Sequence, residues 1–298
     1  MYNFKIVINE NYKEFKEFIL NIKEYFRENS NTIHKARNEL KVINYKDVQT
    51  VVKAFKIPNI INQIVYAYFR DSKAKKSYEN SIKLINLKIN TPMPIGYIEF
   101  YRNFLFKESY FISQKLDYLY TIREPLRDIN FKDREKILKG FVAFTYNLHK
   151  NGVYHKDYSA GNILVFKNDN KYDFSIVDIN RMEVKDIDLT TGLDNFAKLW
   201  LDENSLVLIA KEYAKLSKTN EAEAIKILKD CDRKLKSFVE FKRKIRGKWV
   251  FDFVLFDCEE IWLLIKKLIL KLFLQEKVKK PINKKEINKI LFIRNLKI

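Results

Sequence analysis

The segment Val153-Tyr154-His155-Lys156-Asp157-Tyr158-Ser159-Ala160-Gly161-Asn162-Ile163-Leu164-Val165 decides how the chain is read. It opens on aromatic and β-branched residues, passes through a polar turn and closes on an apolar run. A polar loop, Lys167-Asn168-Asp169-Asn170-Lys171, then leads to Asp173-Phe174-Ser175-Ile176-Val177-Asp178. Two apolar runs around such a loop predict a β-hairpin, Ile163 to Phe166 against Phe174 to Val177. Antiparallel pairing sets the start of the first strand beside the end of the second. Asn162 and Asp178 then face one point, as two oxygen ligands of Mg²⁺ would. Asp157 lies one tight turn earlier, close enough to accept a proton from a hydroxyl beside that metal.

The helix feeding this segment is predicted over Asp133 to Lys150, with Ile137, Phe141, Phe144, Thr145 and Leu148 on one face. Asn151-Gly152 ends it, the glycine supplying a left-handed cap. His149, near its end, reads as structural.

Further upstream, Phe4 to Ile8 alternates as a strand and Asn9 to Arg27 has helical spacing. Thr32 to Ile43 and Val48 to Phe55 read as two strands. Ile60 to Leu87 is helical with a break near Arg70-Asp71-Ser72, where Ser72 can cap the second part. Tyr97 to Tyr101 and Glu108 to Gln114 are strands, and Leu119 to Leu126 is short and helical or irregular. Downstream, helices are expected over Asn195 to Leu201, Asn204 to Leu216, Glu221 to Arg246, Val250 to Gln275 and Lys284 to Arg294. The pattern is α+β. Residues 1–114 are expected to form a β-rich N-terminal lobe, and 115–298 a helical C-terminal lobe holding the loop and metal site.

Composition sets the frame. A chain of 298 residues with 47% hydrophobic residues can bury a substantial core. Cys231 and Cys258 do not form a disulfide framework and fit a reducing compartment. The N-terminus has no signal-peptide pattern, and no uncharged stretch is long enough to span a membrane. A cytoplasmic protein is expected. The net charge of +19 points to an anionic partner: nucleic acid, membrane surface or substrate. Salt-sensitive binding to nucleic acid is expected of any protein this basic, so it does not discriminate. Ile261 to Leu274 pairs Trp, Leu and Phe with lysines. It reads as a core helix with a wet lysine face, or as a membrane-surface helix.

The spacing H-x-D-x-x-x-x-N at His155, Asp157 and Asn162, followed by Asp178, resembles the protein-kinase-like superfamily. Within it, Ala36 to Leu40, Val51 to Lys56, Thr91 to Tyr97, His155 to Leu164 and Val177 to Met182 together resemble the lipopolysaccharide core kinases, the Kdo and heptose kinases of Gram-negative bacteria. The resemblance spans Arg37 to Met182. It implies a two-lobed fold and ATP-dependent phosphorylation of a sugar hydroxyl on the lipopolysaccharide inner core. It also implies contact with an anionic lipid-linked acceptor at the inner face of the inner membrane. In this frame Asp157 is the base, and Asn162 and Asp178 hold Mg²⁺. Lys53 grips the nucleotide phosphates. Glu79, the only acidic residue in Ser72 to Leu87, holds Lys53. The adenine meets the hinge at Ser113, Gln114, Lys115 and Leu116. One departure stands out: Glu28 to Thr32, between the first strands, has no glycine to bring backbone amides to phosphates. A protein kinase is the first rival, opposed by Ser159 where a lysine is usual and by the absence of an Ala-Pro-Glu segment. A kinase-like protein of low or no activity is the second.

Overall fold

The computed structural model describes residues 2–35, 38–169 and 171–246. The helices expected over Val250 to Gln275 and Lys284 to Arg294, with the 261–274 stretch, lie outside the described residues.

Strand β1 (Tyr2–Ile8) leads through a 3₁₀ turn into helices α1 (Lys16–Leu20) and α2 (Ile22–Glu28). The single helix expected from Asn9 to Arg27 is therefore in pieces. Asn9 accepts a bond from the Asn11 N–H, and the Asn21 amide donates to the Glu17 carbonyl. Such local side-chain bonds compete with a continuous helix. The apolar spacing still works, because Phe15, Phe18, Ile19, Ile22 and Phe26 are all buried.

Thr32 to Ile43, expected as one strand, is a hairpin. Strand β2 (Thr32–Lys35) pairs antiparallel with β3 (Asn38–Tyr45), which pairs with β4 (Val48–Phe55). Strand β2 ends at Lys35 and β3 begins at Asn38, so Glu28 to Thr32 is not the link between these paired strands. The helical region breaks where expected, into α3 (Ile60–Tyr68) and α4 (Lys73–Asn86). Ser72 Oγ caps α4 by accepting from the Lys75 N–H at 3.0 Å. Strands β5 (Pro94–Arg102) and β6 (Leu105–Gln114) complete a sheet of order β1-β5-β6-β4-β3-β2.

Strand alternation assigns the two faces of this sheet. Val52, Ile98 and Ile112 pack with α1 and α2, while Phe55 and Tyr97 pack with Ala74 of α4. Lys53 is out of phase with Val52 and shares the α4 side.

The rest of the described chain builds a second core. It comprises β7 (Tyr120–Thr121), α5 (Arg123–Arg127), α6 (Arg134–Lys150), β8 (Val153–His155), β9 (Ile163–Asn168), β10 (Lys171–Ile176), β11 (Met182–Val184), α7 (Leu189–Ala197), α8 (Glu203–Ser217) and α9 (Glu221–Arg246). Strands order as β10-β9-β7, and β11 pairs with β8. Ile137, Phe141 and Leu148 of α6 meet Val165, Phe174, Phe196 and Ile209 in this core. Helix α7 begins at Leu189, well before the expected Asn195. Asp188 caps it, accepting from the Thr191 N–H at 2.7 Å. Leu199 to Leu201 lie beyond its end, where Trp200 takes a left-handed φ of 59°.

Candidate active site

The β9–β10 hairpin is antiparallel as expected, with Ile176 opposite Ile163, and its strands reach into the expected loop, to Asn168 and from Lys171. One step outward, the Val177 N–H donates to the Asn162 carbonyl at 2.9 Å. Asn162 and Asp178 therefore emerge side by side. They line a cavity of about 700 Å³ that also takes in Lys53 and the segment Ser113, Gln114, Lys115 and Leu116. That volume suits a bound small molecule.

Lys53 Nζ lies 2.5 Å from Asp178 Oδ1. Asp178 has a left-handed backbone, φ 56°, which a short polar side chain tolerates better than most. The Asn180 amide donates to the same carboxylate oxygen at 2.5 Å. Burial opposes ionisation of Asp178, but the Lys53 charge and hydrogen bond, with His155 and Asn180, hold its carboxyl below the usual range.

Glu79 is not where the resemblance put it. It lies 3.7 Å from Lys75 on its own helix and is half exposed. The inward stripe of α4 is Ala74, Ser77, Ser81 and Leu84, and Ser77 and Ser81 line the cavity. Glu79 is two residues from both serines, roughly 200° around the helix. Helical phase, which a search for the only acid ignores, turns it away. The carboxylate that holds Lys53 is Asp178.

Asp157 does not line the cavity and is joined to it through Asn162. Its backbone carbonyl accepts from Asn162 Nδ2 at 3.0 Å, and its Oδ1 is 3.2 Å from Arg181 Nη1. Arg181 is itself placed by the Lys156 N–H, which donates to its carbonyl at 2.9 Å. Behind the loop, His155 Nε2 lies 3.1 Å from the Asp178 carbonyl, which ties the two arms of the site together. Burial lowers the His155 pKa, against the pull of Asp178 and Asp157. Asn195 of α7 donates to the His155 carbonyl at 3.0 Å and lies 3.2 Å from His149 Nε2. His149 Nδ1 in turn lies 2.9 Å from the Tyr213 hydroxyl. Burial pushes His149 down to about 4, against its bond to Asn195.

Sequence reasoning missed Asn180, Arg181, Ser77, Ser81 and Asn195. Asn180 and Arg181 were within sight, two and three residues past Asp178. Asn195 had no signal, because its partners come from β8 and α6.

The donor set suits a Mg²⁺ ion. Asn162 spends its amide N–H on Asp157, which leaves its oxygen as an acceptor. Among the described residues no cluster of three or more His, Cys, Asp or Glu side chains could hold a metal. Two protein oxygens, completed by phosphate oxygens and water, are how Mg²⁺ is commonly bound.

A β-sheet lobe bearing a lysine, a helical lobe bearing an Asp-Asn-Asp constellation and a cavity between their side chains define a kinase-like, ATP-dependent phosphotransferase. Residues 51–219 match the model of the lipopolysaccharide kinase (Kdo/WaaP) family, more than half of the chain, and the protein belongs to that family. A structure of WaaP in complex with acyl carrier protein superposes with a TM-score of 0.56 and 12% identity, over 78% of this chain and 98% of that one. That likeness shows the protein-kinase-like fold. A streptomycin–ATP complex of APH(2")-IIa aligns at a TM-score of 0.46 and 14% identity, over 73% of this chain and 86% of that one. No curated protein matches by sequence.

Proposed function

We propose that the chain transfers the γ-phosphoryl group of ATP to a sugar hydroxyl of the lipopolysaccharide inner core, on a Kdo or heptose residue. One observation supports this above the others. Lys53, Asn162 and Asp178 line one cavity, and Asn162 ties that cavity to the backbone of Asp157.

In this reading Asp157 takes the proton of the attacking hydroxyl. Lys53 has donors beyond the one given to Asp178 and uses them on phosphate oxygens. Asn162 and Asp178 hold Mg²⁺, which when bound neutralises charge on the phosphates. The rest is positioning and preorganised charge. The N–H groups of Gln114 and Lys115 already donate to the carbonyls of Met93 and Gln49. A purine at the hinge is therefore read by Leu116 and by carbonyl groups, with Ser113 beside it.

Among the described residues no helix is long and apolar enough to cross a membrane. A lipid-linked acceptor would be met by peripheral contact at the inner face of the inner membrane. Flotation with anionic but not neutral vesicles tests that contact. An acyl carrier protein, as in the WaaP complex, is a candidate partner to assay beside it.

A weakly active or inactive form is the second reading, and one observation favours it: among the described residues no helix carboxylate holds Lys53. The deciding experiment is phosphate transfer from Mg²⁺-ATP to purified core, beside Asp157→Ala. Core-dependent transfer that falls by about a hundredfold or more in the variant, with ATP binding kept, is the expected result. ATP binding with no transfer by the folded wild type would favour the second reading or a protein acceptor.

A further inference from the structure

Beside Asp157, outside the cavity just described, lies a crowd of like charges. Strand β8 alternates, so His155 turns inward to the Asp178 carbonyl while Tyr154 lies on the opposite side. Register brings Glu183 of β11 opposite Tyr154, and the chain leaves β11 through Lys185, whose N–H donates to the Gly152 carbonyl at 2.9 Å. Lys185 Nζ sits 4.1 Å from the centre of the Tyr154 ring. Lys198, at the end of α7, sits 4.5 Å from the same centre and donates to the Tyr154 hydroxyl at 2.7 Å. That hydroxyl donates to Asp194 Oδ2 at 2.8 Å. One buried ring thus mounts two ammonium groups.

The Lys198 ammonium group is partly buried and lies 3.8 Å from Asp194 Oδ2. Burial lowers the Lys198 pKa; Asp194 and Asp157 oppose that, and Lys185 and Lys156 add to it. Lys156 pairs with Glu183 and Arg181 with Asp157. Among the described residues Lys185 makes no ion pair as close as these; Glu183 and Asp188 act on it from further off. Crowded cations destabilise a fold unless an anion joins them. None of Tyr154, Lys185 and Lys198 lines the cavity of Lys53 and Asp178, so an anion held there is not the nucleotide.

We propose that Lys185 and Lys198, mounted on Tyr154, form a subsite for an anionic group of the acceptor, a carboxylate or a phosphate carried near the hydroxyl that Asp157 activates. This rests on the sugar-kinase reading and assigns the side of Asp157 from which the acceptor is held. Lys198 is the fixed contact, because Tyr154 and Asp194 set its position. Lys185 is the exposed contact that closes on the anion from the other strand.

The test measures transfer from ATP to three acceptors: intact core oligosaccharide, the same with its carboxylates reduced to alcohols, and the same after dephosphorylation. Wild type, Lys185→Met, Lys198→Met and the conservative Lys185→Arg are compared, with thermal midpoints to confirm folding. Wild type should show a KM raised about tenfold or more on the form that has lost the recognised anion, which identifies its source. Both methionine variants should show a similar rise on intact core and little further change on that form, and Lys185→Arg should restore most of the loss. Equal wild-type KM on all three acceptors, or equal losses by the variants on all three, overturns the proposal.

Absence of transfer to every form, in protein that binds ATP, counts against the sugar-kinase reading alone. The subsite is then decided by calorimetric titration of the full chain with Kdo and with inorganic phosphate, the nucleotide cavity being filled by a non-hydrolysable ATP analogue. Binding of one of them at least tenfold weaker in Lys185→Met supports the subsite. Binding unchanged by both methionine variants, or undetectable in wild type, overturns it.

Discussion

Lys53 and Asp178, 125 positions apart in the chain, meet at 2.5 Å and form a direct ion pair between the first sheet and the segment that follows the β9–β10 hairpin. The pair is unevenly buried. The Lys53 side chain is 10% exposed and that of Asp178 36%.

That asymmetry predicts unequal costs. Asp178→Asn removes the charge facing a lysine that water barely reaches, whereas Lys53→Met leaves a carboxylate that can hydrate. Asp178→Asn should cost roughly 1–3 kcal/mol of stability, below the figure for a fully buried pair, and Lys53→Met distinctly less. Urea unfolding measures both. A larger loss in Lys53→Met would mean that the pair opens to solvent from the lysine side.

Glu79 supplies a prediction of near silence. Because it faces Lys75 and water, Glu79→Gln should leave ATP affinity within about twofold, the scale of a surface ion pair. Isothermal titration with Mg²⁺-ATP checks this. A tenfold loss would show that α4 rotates when nucleotide binds and brings Glu79 inward.

His149 makes the fold acid-sensitive. Its pKa is about 4 when folded, against about 6.5 when unfolded. The unfolded chain therefore binds the proton first as pH falls. The stabilisation associated with neutral His149 is complete above pH 6.5, declines below it and is gone below about pH 4. It amounts to about 3 kcal/mol. Thermal midpoints should fall across that window, and less steeply in His149→Gln. The residual slope belongs partly to His155, which is shifted in the same direction. An identical slope in the variant would exonerate His149.

Gly192, in α7, lies against the Tyr213 hydroxyl, and a methyl group there would also come within 3.1 Å of His149 Nδ1. Gly192→Ala should destabilise by roughly 1–3 kcal/mol, the cost of overpacking. It should also lower kcat more than it changes KM for ATP, because Asn195 holds the His155 carbonyl one turn further along the same helix. Unfolding curves and steady-state kinetics at 20 °C would read the two effects separately.

What could be read from the sequence was local. Asn162 and Asp178 belong to one hairpin, so alternation and one loop sufficed to bring them together. Lys53, flanked by apolar residues on a strand, stood out only with the downstream loop in view. The Glu79 expectation failed because uniqueness of an acid says nothing of helical phase. The start of α7 was missed because its Asp188 cap was passed over in favour of the apolar run after Asn195. The Tyr154 cluster draws on β8, β11 and α7, and no spacing in the chain announces such a meeting.

Asn80 of α4 donates to the Ile179 carbonyl at 2.7 Å, in a buried bond. That single contact changes what kind of machine this is. In protein kinases the corresponding helix swings, carrying its glutamate to or from the lysine, and so serves as a throttle. Here the helix carries no glutamate toward the lysine and is bolted to the peptide that follows Asp178. To withdraw it would strip a buried donor and acceptor of their partners. Moving α4 away from the Lys53–Asp178 pair would cost a buried hydrogen bond as well as packing.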